Sequence, residues 1–126
     1  MKREIVTTDQ APGAIGPYSQ AVRAGGFLFV SGQIPLDPKT GEIPEDIAAQ
    51  TRQSLKNVQA IVTAAGASLA DVVKTTVFIR NMTQFPVINE AYAAFFEKDP
   101  PARACVEVSR LPKDVQVEIE AVVFCP

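Results

Sequence analysis

Histidine is missing altogether from these 126 residues. That absence excludes Ser-His-Asp and Cys-His nucleophiles and every histidine-ligated metal site. The two cysteines, Cys105 and Cys125, lie too far apart to form a metal knuckle. There is no excess of basic residues: the net charge is −2 and the isoelectric point about 5.1, which argues against a domain built to grip phosphate backbones. No apolar run reaches membrane-spanning length, and the charged start Met1–Asp9 lacks the apolar core of a signal peptide. A cytoplasmic location is the resulting expectation. Repeats, low-complexity tracts, linkers and the GxGxxG and P-loop glycine patterns are absent too.

What is present suits one globular domain over residues 1–126, with 47% hydrophobic and 21% charged residues. A chain of this length buries roughly two-thirds of its unfolded surface. Ile5 to Thr8 reads as a short strand. Gln20–Ala24 and Phe27–Ser31 flank Gly25-Gly26, a two-residue hairpin signal, and Asp37–Gly41 is a turn by composition. Asp46 is the expected N-cap of a helix ending near Gly66, with Leu55, Val58, Ile61, Val62 and Ala65 at helical spacing. Val72–Arg80 is rich in β-branched residues and reads as a strand. A second helix is expected from Thr83 to about Lys98, with Pro86 in its first turn and an apolar stripe of Phe85, Ile88, Tyr92, Phe95 and Phe96. The order β-β-β-α-β-α-β-β implies an α+β fold, a mostly antiparallel sheet with both helices on one face.

The last two strands carry the chemistry. Pro101–Val108 and Val115–Ala121 are joined by Ser109–Asp114, read here as a hairpin connection. Folded about Leu111 and Pro112, that hairpin sets Cys105 opposite Glu118 and Arg103 opposite Glu120, all on one face. Ala104, Val106, Val117, Ile119 and Ala121 then take the other. The face away from the helices gathers Phe27, Phe29, Lys74, Thr76, Phe78, Arg103, Cys105, Glu118, Val122 and Phe124, too apolar for plain exposure. Self-association over it is expected.

Each polar residue has two readings. Arg103 either clamps a carboxylate through paired N–H donors or forms an ion pair with Glu118 or Glu120. Glu118 either handles a water as a base or neutralises Arg103. Cys105 has no histidine to activate it and reads better as a small buried hydrophobe. Tyr18, Ser31 and the backbone near Gly32 can hold a small polar ligand or simply make turns. Asn89 falls mid-helix as a boundary residue, and Glu107 and Glu120 read as solvated or ion-paired.

Ala14–Ala21, Ser31–Pro35, Asp37–Gly41, Gln53–Val58, Pro101–Val108 and Arg110–Val115 leading into Glu118–Ala121 together resemble the RidA branch of the reactive intermediate deaminase (YjgF) family, over essentially the whole chain. The resemblance implies a chorismate-mutase-like subunit and a homotrimer with clefts between neighbours. It implies hydrolysis of 2-imino acids, or their enamine tautomers, to 2-keto acids and ammonia, with neither metal nor organic cofactor. Position by position, Arg103 would hold the substrate carboxylate, Glu118 would act on the attacking water, and the Cys105 backbone would help place that water. Tyr18, Ser31, Gly32 and Asn89 would shape the pocket. Pro100 stands where many relatives carry an aromatic, which bears on the pocket rim. Two other functions are weighed beside deamination: a ligand-binding or chaperone-like trimer without turnover, and a ribonuclease or translation inhibitor, disfavoured by acidic charge and missing histidine.

Overall fold

The computed structural model describes residues 2–126. Eight elements follow one another: β1 (Glu4–Val6), β2 (Ala21–Ala24), β3 (Phe27–Gln33), α1 (Ile47–Ala64), β4 (Val72–Ile79), α2 (Phe85–Ala93), β5 (Ala102–Glu107) and β6 (Val117–Phe124). They build a mixed six-stranded sheet in the order β1-β2-β3-β6-β4-β5, with both helices on one face.

Local chemistry accounts for several element ends. Gly25 and Gly26 both take positive φ, as a two-residue turn between strands paired Ala24 to Phe27 requires. The Asp46 carboxylate accepts from the Ala49 N–H at 3.0 Å, satisfying one of the free donors that open α1. At the other end Gly66, at φ 86°, lets the Gly66 and Ala67 N–H groups turn back to Thr63 and Val62 carbonyls at 2.9 and 3.1 Å. Between these caps Leu55, Val58, Ile61 and Val62 are fully buried against Leu28, Val77, Ile79, Val117, Ile119 and Val123 of the sheet.

The second helix is shorter than its apolar stripe. Its α-helical turns end at Ala93, and tighter bonds from Phe95 to Tyr92 and Phe96 to Ala93 follow at 3.0 and 3.2 Å. Phe96 is thereby carried into the core, so the stripe outlasts the helix. Asp99 turns the chain at φ 50° before Pro100-Pro101.

The expected hairpin between the last two strands does not form. β5 pairs with β4 in parallel, Arg103 beside Thr75 and Cys105 beside Val77. β6 pairs with β4 antiparallel, Glu118 beside Phe78 and Glu120 beside Thr76. β4 therefore lies between the two segments. α2 returns the chain to the start of β4, and a strand entered that way runs parallel. The pairing also changes the faces. Arg103 shares its side with Thr75, and Thr75 with Ala121, so Arg103 and Cys105 project on the helix side with Val117, Ile119 and Ala121. Glu118 and Glu120 project from the open side, with Ala104 and Val106. Phe27, Phe29, Lys74, Thr76, Phe78, Val122 and Phe124 lie on that open face as expected; Arg103 and Cys105 do not. No helix among the described residues is long and apolar enough to cross a membrane.

Candidate active site

Arg103 stands on the sheet's edge strand, where α2 passes over it. Phe85, Asn89 and Tyr92 recur at helical spacing and meet the guanidinium from one side. Arg103 Nη1 donates to Asn89 Oδ1 at 2.7 Å. The guanidinium carbon lies 5.4 Å from the Phe85 ring centre and 5.0 Å from that of Tyr92, both within cation–π range. The Tyr92 and Thr75 hydroxyls share a buried hydrogen bond of 2.6 Å, and Phe96 packs on the Tyr92 ring at 4.9 Å. An open cleft of about 500 Å³ lies beside Arg103, walled by Ala93, Phe96, Pro100 and Pro101. The ion pairs among the described residues are Arg23–Glu4 and Arg110–Asp114. Within one subunit Arg103 therefore pairs with neither Glu118 nor Glu120.

Cys105 lies one alternation further along β5 and is half-buried. Burial pushes its thiol pKa up, against a smaller downward pull from Arg103. Such a thiol is a poor nucleophile at neutral pH. The Tyr92 phenol is likewise raised, chiefly by burial, and stays neutral. Glu107, at the end of β5, accepts from the Met82 N–H at 2.8 Å and tethers the approach to α2.

Glu118 belongs to a second group. Between the Val30–Ala121 and Gln33–Ile119 pairs, β3 spends Ser31 and Gly32 opposite the single residue Glu120, a bulge that bends the strand. The Glu118 side chain lies over Gly32: a Cβ built there would fall 2.9 Å from Glu118 Cδ and closer still to Oε2. A side chain at position 32 would push the Glu118 carboxylate out of this seat. Burial, then the neighbouring Glu120 charge, pushes the Glu118 carboxyl above the usual glutamate range. The bulge is tied to the preceding loop, since Ser31 Oγ donates to the Ser19 carbonyl at 2.6 Å and the Ser31 N–H to that of Gln20 at 2.9 Å. Tyr18, half-exposed in that loop, accepts from the Ile15 N–H at 3.3 Å.

The predicted site residues thus fall into two sets. Arg103, Asn89 and Cys105 share the helix side of the edge strand, and Ser31, Gly32 and Glu118 gather at the bulge with Tyr18 on the adjoining loop. Thr75, Phe85 and Tyr92 were not anticipated as site residues. The sequence signal for two of them is their spacing about Asn89 on one helix. No three acidic or thiol side chains among the described residues converge to hold a metal.

A mixed sheet backed by two helices thus carries an arginine without an acidic partner among the described residues, beside an open cleft, and a half-buried carboxylate at a strand bulge. The chain belongs to the endoribonuclease L-PSP family, which includes the YjgF and RidA proteins: the family profile matches residues 8–125. It is 57% identical over 122 residues to the 2-iminobutanoate/2-iminopropanoate deaminase of Escherichia coli, covering 94% of this chain and 95% of that one. A RutC family protein of Pyrococcus horikoshii is 58% identical over 123 residues, covering 97% and 98%. The crystal structure of E. coli TdcF with bound serine superimposes with a TM-score of 0.94 at 53% identity, over 98% of this chain and 99% of that one.

Proposed function

We propose that this protein is a deaminase that hydrolyses 2-imino acids such as 2-iminobutanoate and 2-iminopropanoate to 2-keto acids and ammonia. The observation that carries this is Arg103, braced by Asn89 and two aromatic rings beside an open cleft, with no acidic partner among the described residues. An arginine so placed suits a planar carboxylate, bound through two parallel N–H···O contacts. The deaminase relative at 57% identity supplies the substrate class.

The chemistry asks little of the protein. A protonated imine is already electrophilic at C2. With its carboxylate on Arg103, a water held near the Cys105 backbone attacks C2 and passes a proton to Glu118 of a neighbouring copy. Glu118 returns that proton to the carbinolamine nitrogen, the C–N bond breaks, ammonia leaves, and the C2 hydroxyl gives its proton back to Glu118 as the carbonyl forms. A base of raised pKa suits this relay, and general base action is typically worth about 10²–10⁴-fold. Orientation adds to it. Enamine forms enter after tautomerising to the imine.

Arg103 and Glu118 project from opposite faces of one subunit, so a complete site calls for a second copy. The exposed Phe29 and Phe124 on the open face suit such contact, and a homotrimer with three clefts is the assembly we infer. Tyr18, Ser31 and Gly32 of one subunit would then complete the pocket of a neighbour. The subunit is a single domain working in the cytoplasm beside the dehydratases that release these imines.

Serine in TdcF favours a second reading, a protein that binds small acids without turnover. Coupling a serine or threonine dehydratase to this protein separates the two. Faster keto-acid release, lost in Arg103→Ala, is the expected result. Retained binding of 2-oxobutanoate without acceleration would establish the binding protein instead.

A further inference from the structure

Arginine is a long side chain, and four rotatable bonds leave its fork poorly aimed unless something holds it. In this protein Thr75, Arg103 and Tyr92 come from three successive elements and meet at one point. Thr75 and Arg103 are paired neighbours on β4 and β5. Tyr92 reaches down from α2, places its ring 5.0 Å from the guanidinium carbon, and fixes its hydroxyl on Thr75 at 2.6 Å. Tyr92 is 5% exposed and Thr75 1%, so the hydroxyl pair is shielded from competing water. Phe96 closes the ring's surroundings at 4.9 Å.

We infer that Tyr92, pinned by Thr75, is a positioning residue that sets the plane and reach of the Arg103 guanidinium. The reaction named above does not require it, and the inference builds on that reading only through the role of Arg103. A ring contact occupies the face of a guanidinium and leaves its edges open. Asn89 takes one donor, at Nη1, leaving the edge with Nε and Nη2 for a carboxylate. Thr75 matters because a buried tyrosine hydroxyl without a partner would draw the ring elsewhere.

Binding of 2-oxobutanoate, which cannot be deaminated, is measured by calorimetry beside the coupled assay and the Arg103 Nε–H NMR signal. Tyr92→Leu should weaken 2-oxobutanoate and raise KM by roughly 10-fold, within the range of one cation–π contact, with kcat nearly unchanged. The Arg103 signal should lose the part of its ring-current shift that Tyr92 supplies, while the Phe85 ring, 5.4 Å from the guanidinium carbon, keeps its own. Tyr92→Phe, which keeps the ring, should recover most of both. Thr75→Val should broaden the Arg103 signal and weaken binding; adding Tyr92→Phe to it should restore both, because the orphaned hydroxyl is then gone. Thr75→Val gives the answer even if Tyr92→Leu does not fold. A folded Tyr92→Leu or Thr75→Val protein with wild-type affinity and an unchanged Arg103 signal overturns the inference. Variant-sensitive 2-oxobutanoate binding without any deamination by wild type would uphold it and remove the deaminase reading. Wild-type protein that neither binds the keto acid nor hastens hydrolysis removes both.

Discussion

One missing methyl group at Gly32 gives Glu118 its seat over the β3 bulge, and with it an environment that resists charge. Burial and the Glu120 charge favour the protonated carboxyl, so the folded chain holds this proton more tightly than the unfolded chain, where glutamate titrates near 4.3. The associated stability is fully present below that pH and is lost as pH rises through the higher folded value. Glu118→Gln should therefore melt at a higher temperature than wild type at pH 7, with the advantage gone at pH 4. Deaminase activity should fall by about 10²-fold or more across the range. A Tm gain of the same size at both pH values would show that charge at Glu118 is not its source.

At the scale of the elements, the strongest local signals were legible in the sequence. Asp46 and Gly66 bracket α1 because each supplies what a helix end lacks, and Gly25-Gly26 supplies the positive φ of a tight turn. Asp46→Ala should cost about 1 kcal/mol, read as a lower urea midpoint with unchanged slope, while Asp46→Asn should stay near wild type. What the sequence could not show was the partner of β5. Ala102 and Ala104 alternate with Arg103 and Cys105, so neither set is apolar enough to declare which face is inward. The pairing is decided by α2, which returns the chain to the start of β4, a long-range fact invisible in a local window. Arg103 and Asn89 were legible as site candidates, but the rings beneath the guanidinium were hidden in what read as an ordinary core stripe. Both rings had to wait for the crossover that brings β5 under α2.

Over the whole molecule, the helix face is closed and the opposite face is not. Phe29 and Phe124 are each 50% exposed there, and Phe27 meets Phe124 edge-on at 5.8 Å. A patch of this kind marks a contact surface. Phe29→Glu should sediment as a monomer with its helix content intact and should lose deaminase activity, although it touches neither Arg103 nor Asn89 in its own subunit. Full activity in a monomeric Phe29→Glu protein would refute a site shared between copies. The position of β6 carries a consequence of another kind. It is the last of the eight elements in chain order, yet it is the strand that joins β1-β2-β3 to β4-β5. During synthesis the two halves of the sheet have no common ladder until β6 has left the ribosome. A chain truncated within β6 would strand both halves with open edges, the condition from which aggregation starts.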